Sequence, residues 1–127
     1  MVKLHIKLIG DDNLDINVSG IKNKNKYKYM ENNISVIVKT DNDKLYIDRI
    51  CNEYTINLVF DKNNETESTY TVFGGTKKFI LNTKTDKLKI SDDKIEVEYK
   101  IDENKFKYLL EVVHEGEVKK NNKWCFK

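Results

Sequence analysis

Proline, alanine and glutamine are absent from this 127-residue chain, and arginine occurs once, at Arg49, among 23 basic residues. Lysine and asparagine abound instead. Such a skew suggests an AT-rich coding sequence, so the number of lysines carries little functional weight by itself. The lone guanidinium carries more, because its planar set of donors is not interchangeable with an ammonium. Two cysteines, Cys51 and Cys125, and two histidines, His5 and His114, lie far apart in sequence. They offer no disulfide framework and no zinc spacing, and free thiols in a reducing compartment are the expectation. No metal or other cofactor is expected. No run approaches the roughly 18 apolar residues of a membrane helix. The start, Met1 to Leu8, alternates apolar with polar residues and has no apolar block or cleavage site. The reading is therefore a cytoplasmic protein with no signal peptide and no membrane partner. No nucleophile elbow, phosphate-cradling glycine loop or metal triad occurs, and Gly74-Gly75 is not followed by Gly-Lys-Ser/Thr. Only the fold could bring Cys51 to His114 as nucleophile and base. The chain does not read as an enzyme.

What is present is period-2 alternation from end to end. A hydrophobic fraction of 39% beside a charged fraction of 35% suits one globular domain over residues 1–127. Val2, Leu4, Ile6 and Leu8 share one face of a first strand, and Leu14, Ile16 and Val18 share a face of a second. Ser19 to Asn25 is polar, contains Gly20, and reads as a turn. Lys22, Lys24, Lys26 and Lys28 would share a face if extended, with Tyr27 and Tyr29 on the other. Lysines beside tyrosines suit single-stranded nucleic acid. The small net charge of +2 favours a charged edge strand instead. Nucleic acid is not the expected partner.

Ile34–Thr40 and Leu45–Ile50 follow as strands, and on the second of them Leu45, Ile47 and Arg49 share a face. If that face is the core face, Arg49 points inward. Tyr54–Phe60 is another strand, and Asp61 to Ser68 reads as a polar loop. With Gly74-Gly75 as a two-residue turn, Tyr70 would stand opposite Phe79. With Asp92-Asp93 as the next turn, Ile90 faces Ile95 and Leu88 faces Val97. The same register sets Lys89 against Glu96 and Lys87 against Glu98, a solvated face rather than a catalytic carboxylate pair. Phe106–Val113 completes the regular pattern. Residues 115–127 read as an extra C-terminal strand or tail, with Trp124 closing one end of the core. The fold class is all-β, an antiparallel, mostly up-and-down barrel of about eight to ten strands.

Tyr29-Met-Glu31, Ile34–Thr40, Arg49, Tyr70-Thr-Val-Phe-Gly74, Asn82-Thr-Lys-Thr85 and Glu98-Tyr99 occur in an order that resembles the YwiB-like family of bacterial proteins. The resemblance spans roughly residues 2 to 113 and implies a calycin, lipocalin-like barrel. It implies no activity. The chain departs from that family where Cys51 replaces a glycine and in its tail from Glu115 onward.

An inward Arg49 needs a partner, since an uncompensated buried charge is very costly. Glu31 is the candidate, with Tyr29, Tyr70 and Tyr99 as hydrogen-bonding neighbours. Two roles follow. Arg49 could anchor the anionic group of a small ligand held non-catalytically in the barrel. Alternatively, Arg49 and Glu31 form a structural ion pair in a filled barrel that serves as a structural or protein-interaction module. The oligomeric state is not legible.

Overall fold

The computed structural model describes residues 1–11 and 13–114, which form a closed antiparallel barrel of ten strands. In chain order the strands are β1 (Val2–Ile9), β2 (Leu14–Asn23), β3 (Lys26–Glu31), β4 (Ile34–Asp41), β5 (Lys44–Ile50), β6 (Tyr54–Asp61), β7 (Thr66–Val72), β8 (Lys77–Ile90), β9 (Lys94–Ile101) and β10 (Asn104–Val113). Each pairs with its neighbours in sequence, and β1 closes the ring against β10 from Lys3↔Val113 to Ile9↔Lys107. Closure of this kind removes the long open edges that an alternating chain would otherwise expose. The expected C-terminal strand, Trp124 as a lid and any Cys51–Cys125 bridge lie outside the described residues. No helix among the described residues is long and apolar enough to cross a membrane.

Alternation decides what lies inside. Leu4, Ile6, Val36, Val38, Leu45, Phe60, Ile95, Val97 and Leu110 are fully buried, and they belong to one cluster that runs through the barrel. Tyr99 packs its ring on Phe60, with centroids 4.6 Å apart, and stacks on Phe106 at 5.3 Å. Large aromatic side chains thus fill space that the wide circumference of ten strands would leave open.

The β8–β9 register is the expected one: Ile90↔Ile95, Lys89↔Glu96, Leu88↔Val97 and Lys87↔Glu98. On its outer face Lys87 lies 3.8 Å from Glu96 and 3.6 Å from Glu98, and Lys107 lies 3.1 Å from Glu96. Tyr70 stands opposite Phe79, also as expected. The connection between them is wider than two residues, however. Val72 pairs with Lys77, and the chain turns through a short 3-10 segment, Phe73–Gly75, with Gly74 at φ 63 and Gly75 at φ 91. Both glycines are used for backbone conformation.

Three other expectations are corrected. The stretch from Ser19 is strand rather than turn: β2 runs on to Asn23, and Gly20 pairs with Val2 on one side and Tyr29 on the other. A Cβ on Gly20 would lie 2.7 Å from Leu4 Cδ1 and 2.8 Å from the Lys28 carbonyl oxygen, so glycine is there for close approach. The lysine stripe is therefore broken. Lys24 occupies the β2–β3 turn, Lys26 and Lys28 are exposed on β3, and Lys22 lies opposite buried Tyr27. Last, the polar loop after β6 ends early, because β7 begins at Thr66 and Ser68 is fully buried.

That burial has a local cause. The β6–β7 ladder runs only from Tyr54↔Val72 to Asn57↔Thr69. Beyond it, side-chain hydroxyls join the strands. Val59 N–H donates to Ser68 Oγ at 3.0 Å, Thr66 Oγ1 donates to the Val59 carbonyl, and Ser68 Oγ is 2.8 Å from Thr83 Oγ1. These bonds satisfy backbone groups that the missing rungs would leave bare. β8 itself runs unbroken from Lys77 to Ile90, with an irregularity between Thr85 and Lys87.

Candidate functional site

The turns 32–33, 51–53, 73–76 and 102–103 gather at one rim of the barrel, and 24–25, 42–43, 62–65 and 91–93 gather at the other. Glu31 ends β3 and Arg49 stands one residue before the end of β5, with β4 between them. The register sets Glu31 opposite Ile34 and Arg49 opposite Val36. Both side chains point inward, because Tyr27 and Tyr29 on β3 and Leu45 and Ile47 on β5 are buried in the same phase.

They meet as a fork on a fork. Arg49 Nη1 donates to Glu31 Oε1 at 3.0 Å, and Nη2 donates to Oε2 at 2.7 Å. The side chains retain 15% and 9% of their exposure, so the pair sits just inside the rim rather than in bulk water. Burial alone would lower the pKa of Arg49. The two hydrogen bonds and the charge of Glu31 reverse that and hold it above its ordinary value.

Beneath the pair lies a buried phenol couple, with Tyr29 Oη 2.8 Å from Tyr108 Oη. Burial pushes Tyr29 up to about 12, the hydrogen bond to Tyr108 acting against it. Burial likewise carries Tyr108 well above its ordinary value, reinforced by Tyr29. Tyr99 is also pushed up to about 12 by burial, with the Arg49 charge drawing it back. The Arg49 charge thus reaches Tyr29 and Tyr99, while Tyr29, expected as a hydrogen-bonding neighbour of the pair, has its phenol against Tyr108. Tyr70 lies two strands from Arg49 in the same row, opposite Ile56, which itself faces Arg49. Its ring meets Tyr54 edge-on at 5.7 Å and stacks on Phe79 at 6.0 Å. Tyr108 and Tyr54 are additions that sequence reasoning missed. Tyr108 carried a usable signal, since it lies in phase with Leu110 and Val112.

Among the described residues, Cys51 and His114 are not brought together at this end. Cys51 follows β5 at the Arg49 rim, whereas His114 follows β10 at the opposite rim, where its Nε2 lies 2.9 Å from Asp93 Oδ2. The two residues that could have made a nucleophile and base are thus at opposite ends. At the His114 rim a cleft of about 320 Å³ is lined by Lys22, Lys24, Tyr27, Thr40 and Ile95 among others. Lys22 Nζ and Tyr27 Oη both donate to the Asp92 carbonyl, at 2.6 and 2.9 Å, and tie the β8–β9 turn across it.

A family described as a domain of unknown function, DUF1934, matches residues 18–109, most of the chain and every residue of the ion pair and its tyrosines. The chain belongs to the DUF1934 family. Among solved structures, the DUF1934 chain is similar to the ywiB protein from Bacillus subtilis, whose crystal structure it matches at a TM-score of 0.62. The match covers 89% of this chain and 92% of that one, at 17% identity, and at that identity it speaks for the fold alone. It agrees with the YwiB-like, calycin-like barrel expected from the ordered motifs. No curated protein matches the chain. The family's description names no activity.

Proposed function

We propose that this DUF1934 protein is a non-catalytic scaffold with a filled barrel, in which Arg49 and Glu31 form a structural ion pair and recognition takes place on the outside. One observation carries this reading. The planar fork that would grip the carboxylate or phosphate of a ligand already grips both oxygens of Glu31. An anionic ligand using Arg49 as its anchor would have to displace that carboxylate and leave it unpaired at 9% exposure, a penalty of several kcal/mol before any gain. The packed aromatic interior supports the same reading, since Tyr99 lies between Phe60 and Phe106 where a ligand would need room.

Native mass spectrometry of the protein purified from its own cells tests the proposal. The expected spectrum contains the bare chain mass. A small anionic species retained by the wild type and lost from Arg49→Met would overturn it and make Arg49 a ligand anchor.

A further inference from the structure

The barrel closes around its girth, but β8 is longer than the neighbour it pairs with. Its ladder with β9 begins at Thr83↔Ile101. Past that rung the chain of β9 turns away, and one long contact, Asp102 N–H to the Asn82 carbonyl at 3.4 Å, marks the last touch. The half of β8 from Lys77 to Leu81 pairs with β7 alone among the described residues. It rises past the rim beside the Arg49 end and presents one open backbone edge.

The side chains of this half are apolar in the middle and cationic toward the tip. Phe79 is 43% exposed and Ile80 is 50% exposed, and adjacent residues of a strand lie on opposite faces, so the segment offers one large apolar side chain on each face. Lys77 and Lys78 precede them, both exposed, again one on each face. Lys77 Nζ lies 5.8 Å from the Phe79 ring centre, which keeps its charge over the inner face. An edge strand protected against pairing usually carries charge, proline or a bulge along its length. Here the protection is confined to the first two residues, and the apolar pair beyond them is open.

We infer that Lys77–Asn82 is a strand-addition site for an extended acidic–apolar segment of another protein. An added strand would take its affinity from main-chain hydrogen bonds to the open edge and its specificity from alternate side chains. Charge complementarity selects the occupant. An antiparallel strand reading polar, polar, apolar, apolar, acidic, acidic sets its apolar pair against Ile80 and Phe79 and its carboxylates against Lys78 and Lys77. A second copy of this chain fits less well, because antiparallel pairing would set Lys77 and Lys78 opposite Asn82 and Leu81, where no carboxylate faces them. This inference rests on the reading that recognition is external. It does not depend on the ion pair, whose test is separate, so a failure of one leaves the other measurable.

The experiment is amide hydrogen exchange of the full chain, with and without the synthetic peptide Thr-Thr-Val-Phe-Glu-Glu at low salt. Amides within 77–82 should become protected on adding the peptide. Binding should weaken at least about tenfold when its two glutamates are replaced by lysines. It should also weaken for the same peptide N-methylated at alternate backbone amides. The Lys77→Glu/Lys78→Glu variant, altered at two exposed positions, should reverse the preference toward the lysine peptide. Equal binding of the N-methylated peptide, protection elsewhere on the barrel, or no protection with any of these peptides would overturn the proposal. A dimer that protects 77–82 without peptide would also overturn it and assign the edge to a second copy.

Discussion

Removal of one partner of the Arg49–Glu31 pair should destabilise the protein far more than removal of both. Arg49→Met leaves the Glu31 carboxylate facing the barrel interior at 9% exposure, with its two guanidinium donors gone. Stranding one charge of a buried pair costs about 3–5 kcal/mol. The position of this pair just inside a rim, where water can approach, places the expectation at the lower end, about 3 kcal/mol. With a urea slope of about 1.5 kcal/mol/M for a protein of this size, that is a fall of about 2 M in the unfolding midpoint. Glu31→Leu should cost a similar amount by stranding Arg49. The double variant Arg49→Met/Glu31→Leu leaves no charge unpaired and should fall within about 1 kcal/mol of the wild type. The double-mutant cycle should therefore give a coupling of about 5 kcal/mol. Two single losses below about 1 kcal/mol that simply add would refute the reasoning and describe a solvated pair without structural consequence.

Three further outcomes are expected. Gly20→Ala should destabilise by about 1–3 kcal/mol in urea melts, since the new methyl would meet the Lys28 carbonyl oxygen at 2.8 Å and backbone cannot swing aside. Ser68→Ala should cost about 1–3 kcal/mol by leaving the Val59 N–H without its acceptor; hydrogen exchange should show faster loss at Val59 than at Leu58. Stability should also decline in alkali. Tyr29 and Tyr99 are raised to about 12 when folded, against about 10 when unfolded. Above pH about 10 the unfolded chain therefore holds fewer protons than the folded one, and each tyrosine's contribution, intact below that pH, is lost as the pH rises through about 12. Urea midpoints and phenolate absorbance measured across that window check it, and tyrosines that all titrate near the ordinary value would contradict it.

Parity was the most legible property of the chain. Alternation assigned Leu45, Ile47 and Arg49 to one inward face, and paired hydrophobic and charged rungs placed β8 against β9 correctly. Arg49 stood out by rarity, and Glu31 by its place in the same ordered set of motifs. What escaped was anything set by approach across strands. Gly20 looks like a turn residue in one dimension, and only the neighbouring strands reveal that it makes room for Leu4 and the Lys28 carbonyl. Ser68 and Thr83 look like surface hydroxyls, yet both are fully buried because the β6–β7 ladder lapses beside them. Tyr70 shares the cross-strand row of Arg49, with Ile56 between them, and its ring stacks on Phe79.

Parity also has a limit that gives the ion pair a further role. A slip of one residue between β4 and β5 would turn every core side chain outward, so alternation forbids it. A slip of two keeps every side chain on its own face, and alternation is silent about it. In the observed register Arg49 faces Val36 and Ile47 faces Val38. Sliding β5 inward by two residues would set Arg49 against Val38, about 7 Å deeper, where Glu31 cannot follow. Sliding it outward would carry Arg49 about 7 Å toward water and away from Glu31, which stays on β3, and a pair stretched into solvent contributes at most about 1 kcal/mol. The fork can therefore discriminate among registers that hydrophobic pattern treats as equal, even if replacing both partners leaves net stability unchanged. In the Arg49→Met/Glu31→Leu variant, the amides of Lys44–Ile50 should give duplicated resonances from a second register, while Gly20→Ala, which keeps the pair, should give one set. A single set of wild-type-like resonances from the double variant would show that the turn at Asn42-Asp43 fixes the register without help.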